Sequence, residues 1–209
     1  QALFVPSETP GQPTESPSAG PVTPTPTPSA TETPSSATPS PTRTVARHLA
    51  ILPQSHDGGA DLTVRELVYR GRFPHQGILQ RLTRTDFEAV DWAMKAADVE
   101  LLAARTLAHL SGGERQRAWI AMALAQQPRV LLLDEPTSFL DIAHQVEVME
   151  LLQRLNHDGI TVVAVLHDLA LAARYTRRVI AMREGRVAFD GPPAEVMEPV
   201  GLARVFGIA

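Results

Sequence analysis

The fold is decided by the stretch Val130-Leu131-Leu132-Leu133-Asp134-Glu135-Pro136-Thr137-Ser138-Phe139-Leu140-Asp141. Its first four residues form a short apolar run, which predicts a strand buried on both faces of a sheet. Two carboxylates, Asp134 and Glu135, follow where the strand ends. In open parallel sheets, ligands bind beyond the carboxyl ends of the strands. The stretch therefore predicts an α/β fold with an acidic site at a strand end.

The flanking segments continue this alternation of strands and helices. A second buried strand, 161–166, ends at His167, so its polar end is expected at the same sheet edge as Asp134 and Glu135. Shorter strands are predicted at 48–53, which ends at Gln54, and at 179–182 and 186–189. Helices are predicted after the cap Thr63, from Thr85 or Asp86 through Val99, from Ser111 to before Pro128, and over 144–155.

The chain has two regions of different composition. Residues 1–44 contain 11 prolines and 17 serines or threonines, whereas the rest of the chain contains seven prolines. Because the first region has few large apolar side chains to offset its chain entropy, we predict a disordered tail over residues 1–44. Its Thr-Pro repeat is typical of a linker or stalk, although a tail without a binding role is the simpler interpretation. We expect a folded domain at 45–209, with a helical subdomain at about 62–105.

The overall composition excludes several classes of protein. Charged residues make up 20% of the chain and hydrophobic residues 44%, and no apolar run approaches the roughly 18 residues that span a bilayer. A net charge of -4 gives no electrostatic case for binding nucleic acid. The absence of cysteine excludes disulfides and thiolate metal sites. The chain begins without Met, which fits a fragment.

The segment Leu110-Ser111-Gly112-Gly113-Glu114-Arg115-Gln116 places two glycines beside a hydroxyl at a predicted helix start. Glycines let the backbone approach an anion, and free amides at a helix N-terminus bind phosphate. An ordinary helix N-cap at Ser111 explains the same residues equally well. For the acidic strand end, Asp134 can hold Mg²⁺ through water, and Glu135 can take a proton from an attacking water. The alternative there is a pair of solvated acids.

Taken together, these motifs resemble the ATP-binding subunit of an ABC transporter. Leu110–Gln116 is similar to the family's signature loop, Leu131–Glu135 to its Walker B strand, and Ser138–Asp141 to its D-loop. Gln54 and His167 are similar to the Q-loop glutamine and the switch histidine. The resemblance implies a partial P-loop NTPase fold with ATP and Mg²⁺ as cofactors. It also implies the following roles: catalytic for Glu135, His167 and Gln54; nucleotide-binding for Ser111, Gly112, Gly113, Gln116 and Asp141; metal-binding for Asp134 and Gln54.

A narrower resemblance is to importers of iron-siderophores, haem or cobalamin. It is carried by the segments 63–68, 71–75, 138–145 and 191–197. The resemblance implies a membrane-spanning permease, a second ATPase subunit and, indirectly, an extracytoplasmic substrate-binding protein as partners, with no nucleic acid. It implies a location on the cytoplasmic face of the cell membrane, held there by the permease. The helical subdomain would meet that permease through Tyr69, Arg72, Phe73 and His75, which we expect to be exposed around Pro74; a plain surface loop is the alternative.

The family's phosphate loop, Gly-x-x-x-x-Gly-Lys-Ser/Thr, does not occur in these 209 residues, and Lys95 is the only lysine. We therefore expect this chain to bind ATP weakly and to be inactive alone. Two explanations stay open: a truncated or frame-shifted version of a normal ATPase, and a degenerate subunit that acts as a non-catalytic interaction module. Chromosome-associated and translation-factor ATPases fit less well, because there are no long heptad segments and only one cassette.

Overall fold

The computed structural model describes residues 2–4, 41–54, 59–76 and 82–207. A six-stranded sheet forms the centre of this part of the chain, in the order β2-β3-β4-β1-β5-β6. The strands are β1 (Ala2–Phe4), β2 (Leu49–Leu52), β3 (Val130–Asp134), β4 (Thr161–Leu166), β5 (Val179–Arg183) and β6 (Arg186–Gly191). The helices are α1 (Pro41–His48), α2 (Val64–Arg70), α3 (Arg84–Ala96), α4 (Gly112–Ala125), α5 (Ile142–His157), α6 (Leu169–Tyr175), α7 (Pro193–Val196) and α8 (Pro199–Phe206).

Three parallel strands form one half of the sheet, with β2 at its edge. β2 pairs with β3 from Leu49 opposite Val130, and β3 pairs with β4 from Val130 opposite Thr161. β5 and β6 form the predicted antiparallel pair. These five strands confirm the sequence predictions, and the parallel direction of β2, β3 and β4 places their carboxyl ends at one edge. The α/β fold class is therefore confirmed.

The N-terminal segment is more ordered at its ends than the sequence predicts. β1 lies between β4 and β5 and is antiparallel to both, with Leu3 opposite Val165 on one side and Ile180 on the other. At the other end, α1 begins at Pro41, inside the predicted tail. The prediction of disorder is therefore wrong for 2–4 and 41–44, because sheet pairing and a proline-initiated helix order these residues. Residues 5–40 lie outside the described residues.

Helices α2 and α3 pack on α4, and their N-terminal caps differ in how well the sequence predicts them. Thr63 caps α2 as predicted, with Glu66 completing a capping box. The predicted caps of α3, Thr85 and Asp86, are wrong. Thr83 is the cap, because Asp86 receives hydrogen bonds from the Thr83 amide and hydroxyl and thereby fixes the helix start three residues before itself.

The predicted exposure of Arg72 is also wrong. Arg72 is 4% exposed and Asp86 5%, and Arg72 Nε donates to Asp86 Oδ1 at 2.8 Å. One terminal nitrogen also donates to the Ala125 carbonyl at 2.6 Å. His75 is half-buried, with its Nε2 at 2.8 Å from the Gln126 carbonyl oxygen. Both side chains therefore tie the start of the helical region to the end of α4, because that helix end carries carbonyls without helical partners.

Among the described residues, no helix has the length and apolar character needed to cross a membrane.

Candidate functional site

Three side chains hold the carboxylate of Glu135 at the carboxyl edge of the parallel strands. Gln54 Nε2 donates to Glu135 Oε2 at 2.6 Å, and Ser138 Oγ donates to the same oxygen at 2.8 Å. His167 Nε2 is hydrogen-bonded to the other oxygen, Oε1. Gln54 follows β2, Glu135 follows β3 and His167 follows β4. The predicted catalytic residues are thus brought together by the parallel register of three adjacent strands.

The backbone of Glu135 has an uncommon conformation that aims its side chain. Its φ is +49°, in the left-handed region that residues other than glycine seldom occupy. Two backbone hydrogen bonds hold it there: the Glu135 amide donates to the Val165 carbonyl, and the Ser138 amide donates to the Glu135 carbonyl. A strained residue at a strand end, secured on both sides, is typical of functional sites.

The surroundings of Glu135 favour its charged form. The hydrogen bond from Ser138 and then the one from His167 hold the pKa of Glu135 below its ordinary value, against a smaller opposing effect of burial. The group is therefore a carboxylate at neutral pH. Hydrogen-bond donors on both oxygens fix the orientation of the carboxylate, which is the arrangement that a base needs to take a proton from a water molecule.

Asp134, the predicted metal ligand, ends β3 and is exposed. Its carboxylate forms no hydrogen bond or ion pair within the described part of the chain, so the carboxylate oxygens are available to a cation. That part of the chain holds no group of three or more His, Cys, Asp or Glu side chains arranged for a metal. The amide nitrogen of Gln54 faces Glu135. The chemistry of the donors fits Mg²⁺ bound partly through water, and the roles of Asp134 and Gln54 remain predictions.

The signature loop begins helix α4 with a complete capping box. Ser111 is the N-cap, its hydroxyl accepts from the Glu114 amide at 3.2 Å, and its own amide donates to Glu114 Oε2 at 2.8 Å. The cap interpretation of this motif is confirmed, and anion binding by the same segment stays a prediction. The amides of Gly112 and Gly113 lie in the first turn, where they have no partner within the helix. They fit a phosphate group, as does the hydroxyl hydrogen of Ser111.

The D-loop ends in the cap of α5. Asp141 accepts hydrogen bonds at Oδ1 from the His144 amide and from the His144 ring, at 2.9 and 2.7 Å. Gln145 donates to the Leu140 carbonyl at 3.0 Å, which closes the loop onto the helix. Phe139, within the loop, is 97% exposed and has a φ of +63°. Asp141, predicted to bind nucleotide, is therefore occupied in part by a structural role.

The predicted site residues form two groups. Glu135, Gln54 and His167 make the first, and Ser111, Gly112 and Gly113 belong to the second, at the start of α4. No hydrogen bond between the two groups is present in the described ranges. Gln116 lies half-buried on α4, and its side chain forms no hydrogen bond with the described residues. Sequence reasoning assigned no role to the contact of Ser138 with Glu135, although the Glu-Pro-Thr-Ser spacing of a tight turn was a signal for it.

Comparisons with known proteins agree with this geometry. A family model described as "ABC transporter" matches residues 15–138, more than half of the chain. The petrobactin import ATP-binding protein of Bacillus anthracis is 53% identical over 165 residues, which are 78% of this chain and 61% of that protein. The ferric enterobactin transport ATP-binding protein of Escherichia coli is 47% identical over 167 residues, 79% of this chain and 62% of that protein.

A solved dimeric structure of a bacterial ABC transporter cassette shares the fold. It superposes with a TM-score of 0.61 at 31% identity, covering 73% of this chain and 66% of that one. The chain spans about three fifths of the length of the two curated relatives.

Proposed function

The chain belongs to the ABC transporter family, and from that premise we propose that it serves as the ATP-binding subunit of an importer of an iron-siderophore or a related metal chelate. The relatives named for petrobactin import and ferric enterobactin transport support this substrate class. The observation that carries an ATPase role is the carboxylate of Glu135, held by Gln54, Ser138 and His167. We also propose that the subunit sits on the cytoplasmic face of the membrane, bound to a permease.

Within the site, the residues of this chain have separable tasks. Glu135 orients an attacking water and receives its proton, and the donors on its two oxygens keep the carboxylate pointed at that water. His167 and Gln54 fix Glu135 and lie at strand ends where phosphate would enter. Asp134 would hold Mg²⁺ through water, and the ion supplies charge neutralisation for the phosphates.

The phosphate cradle has to come from residues other than these 209. No Gly-x-x-x-x-Gly-Lys segment occurs among them, and the sole lysine, Lys95, lies on α3. A Walker A lysine and backbone amides supply most of the phosphate contacts in such sites. We propose that the chain alone binds ATP weakly, while Ser111 and Gly113 remain able to complete the nucleotide site of a second cassette. Saturation at micromolar ATP in a titration of the chain alone would contradict the first statement.

Catalysis by Glu135 is tested by supplying a phosphate loop from a relative. The N-terminal segment of the Bacillus anthracis relative is joined to Leu49, at the start of β2. We expect this fusion to hydrolyse ATP and Glu135→Gln to reduce turnover by about 10²–10⁴-fold, the range for loss of a general base. Equal turnover of the fusion and its Glu135→Gln variant would remove Glu135 from the mechanism.

The proposal that this chain completes the nucleotide site of a second cassette is tested by mixing it with a relative whose own signature loop is blocked. The Bacillus anthracis relative, with its residue aligned to Ser111 changed to Arg, should lose activity because its signature loop is blocked. We expect addition of this chain to restore ATP turnover, and its Ser111→Arg variant to fail. This mixing assay reports on the signature loop of this chain and not on its own Glu135. Failure of the unmodified chain to restore turnover would contradict the proposed pairing.

The surface that would meet the permease differs from the one expected from sequence. Phe73 is 64% exposed and Phe87 45%, and the Phe87 ring contacts Tyr69 edge-on at 5.5 Å between centroids. Aromatic side chains, including phenylalanine, are enriched at protein interfaces. We propose docking through Phe73 and Phe87, without Arg72. Co-purification with a permease should fall for the Phe73→Ala, Phe87→Ala double variant and not for Leu101→Ala, an exposed apolar control.

A second candidate is a non-catalytic subunit that docks without hydrolysing ATP. The observation that favours it is the lack of a phosphate-loop lysine, since Lys95 is on a helix distant in sequence from the strand ends. The coding DNA upstream of Val45, read in all three frames, separates the candidates. A Gly-x-x-x-x-Gly-Lys-Ser/Thr in another frame favours the ATPase, and its absence favours the docking subunit.

A further inference from the structure

The two glycines of the signature loop pack against the D-loop and the first turn of α5. A Cβ atom built on Gly113 would lie 2.1 Å from His144 Cδ2 and 2.7 Å from His144 Cγ. One built on Gly112 would lie 3.2 Å from Leu140 Cδ2. Real Cβ atoms do not approach ring carbons to 2.1 Å, so Gly113 leaves the space that the imidazole fills. The start of α4 and the start of α5 are therefore in direct contact.

The imidazole of His144 is held in this position from its other side. Asp141 Oδ1 lies 2.7 Å from His144 Nδ1 and also accepts the His144 amide at 2.9 Å. The oxygen belongs to the cap of α5, so the ring is fixed relative to a 16-residue helix. A ring that is hydrogen-bonded at one edge and packed against another residue at the opposite edge loses most of its rotamer freedom.

We propose that His144 is a positioning residue: its ring, held by Asp141, seats Gly113 so that the signature loop is correctly placed for the nucleotide of a partner cassette. This inference rests on the proposed function, because it assigns the Ser111–Gly113 loop to a nucleotide site. It goes further because it gives Asp141 the task of holding His144, and His144 the task of seating Gly113 of the same chain.

The same contact connects the two groups of site residues. Ser138, at the start of the D-loop, donates to Glu135 Oε2 at 2.8 Å, and Asp141, at its end, holds His144. The D-loop thus contacts the Glu135 carboxylate at its start and, at its end, holds the His144 ring that contacts Gly113. Displacement of a positioned group by about 1 Å can cost 10²-fold in rate. We therefore expect a His144 side chain that is no longer held by Asp141 to reduce ATP turnover in the partner's site.

The competing explanation is that the His144 ring only fills space next to Gly113. The two explanations predict different effects of replacing His144 with phenylalanine. His144→Phe keeps an aromatic ring of similar size but loses the bond to Asp141, whereas His144→Ala removes the ring. If the ring only fills space, phenylalanine should restore everything. If its attachment to Asp141 matters, phenylalanine should keep the contact with Gly113 but leave the loop poorly fixed. His157→Ala, at the far end of the same helix, is the matched control.

The first measurement uses the full chain without nucleotide. In nuclear magnetic resonance spectra, the ring current of His144 should displace the α-proton shifts of Gly113. We expect His144→Ala to move these shifts toward ordinary glycine values, His144→Phe to retain a displacement, and His157→Ala to change nothing. Unchanged Gly113 shifts in His144→Ala would overturn the proposal without bearing on the ATPase role.

The second measurement is the mixing assay with the blocked Bacillus anthracis relative. We expect the turnover restored by the His144→Ala chain to be about 10- to 100-fold lower than that restored by the unmodified chain. The His144→Phe chain should also restore less turnover, and the His157→Ala chain should restore all of it. Full restoration by His144→Phe or His144→Ala would reject positioning by the Asp141-held ring. If even the unmodified chain restores nothing, the proposed pairing fails, while the Gly113 shifts still decide whether His144 seats the loop.

Discussion

Replacing Arg72 with alanine is expected to destabilise the folded chain by about 3 kcal/mol. The change removes the guanidinium from a buried ion pair in which the two side chains are 5% and 7% exposed. It also removes a donor from the Ala125 carbonyl, which Arg72 contacts at 2.6 Å. A further acceptor, Gln127 Oε1, lies 3.2 Å from the same guanidinium. The Asp86 carboxylate and the Ala125 carbonyl lie where water has little access, so water does not replace the donor that each loses.

The magnitude follows from what stays in place. Removal of one member of a buried pair costs about 3–5 kcal/mol, because the other charge is left uncompensated. Asp86 keeps two hydrogen bonds, from the Thr83 amide at 2.8 Å and the Thr83 hydroxyl at 2.7 Å, so the lower end of that range applies. With a urea m-value of about 2 kcal/mol/M, the unfolding midpoint should fall by about 1.5 M.

The assay is urea unfolding followed by circular dichroism, with Arg84→Ala as the matched control. Arg84 pairs with Glu88 at 2.8 Å, but its side chain is 92% exposed. An exposed pair of this kind contributes about 0.3–0.5 kcal/mol, which lowers the midpoint by about 0.2 M. If Arg72→Ala and Arg84→Ala shift the midpoint equally, Arg72 does not anchor the helical region to α4.

Three further outcomes follow from packing, capping and charge. Gly71→Ala should destabilise by about 1–3 kcal/mol, because its Cβ would lie 2.0 Å from the Met122 carbonyl oxygen, and thermal unfolding measures this; an unchanged melting temperature would contradict the packing. Ser111→Ala should cost about 1 kcal/mol in urea unfolding by removing the α4 cap, whereas Ser111→Thr should cost less. Although burial acts to raise the pKa of Asp86, hydrogen bonds from Thr83 and the ion pair with Arg72 outweigh it and hold that pKa below the ordinary 3.8. Its contribution to stability is therefore complete above pH 3.8 and lost as pH falls through the lower folded pKa, so acid titration of Asp86→Asn should show a smaller loss below pH 3.8 than the unmodified chain.

The sequence was sufficient for features that depend on neighbours along the chain. The apolar runs before Asp134 and His167 were assigned correctly as strands, and in the structure one face of each strand is buried and the other is half-buried. The parallel direction of those strands then follows from the helix between them, and it places Glu135 and His167 at one edge. The Ser111 cap was identifiable because a capping box spans only four residues.

Other features depended on partners far away in the sequence. Arg72 was interpreted as exposed because arginine usually is, yet its acceptors are 14, 53 and 55 residues away, at Asp86, Ala125 and Gln127. The cap of α3 was misplaced because Thr83 and Thr85 are chemically equivalent locally, and only the position of Asp86 relative to Arg72 distinguishes them.

What the sequence determined by itself is the strands β2 to β6, the edge at which the polar residues gather and the family resemblance, since each is encoded in local pattern. Only the tertiary structure decided that β1 enters the sheet between β4 and β5, that Glu135 takes a left-handed backbone, and that the His144 ring occupies the space over Gly113. The reason is physical: strand pairing, a strained turn and a contact between the starts of two helices are each stabilised by atoms distant along the chain, and their free energy exists only once the chain has folded.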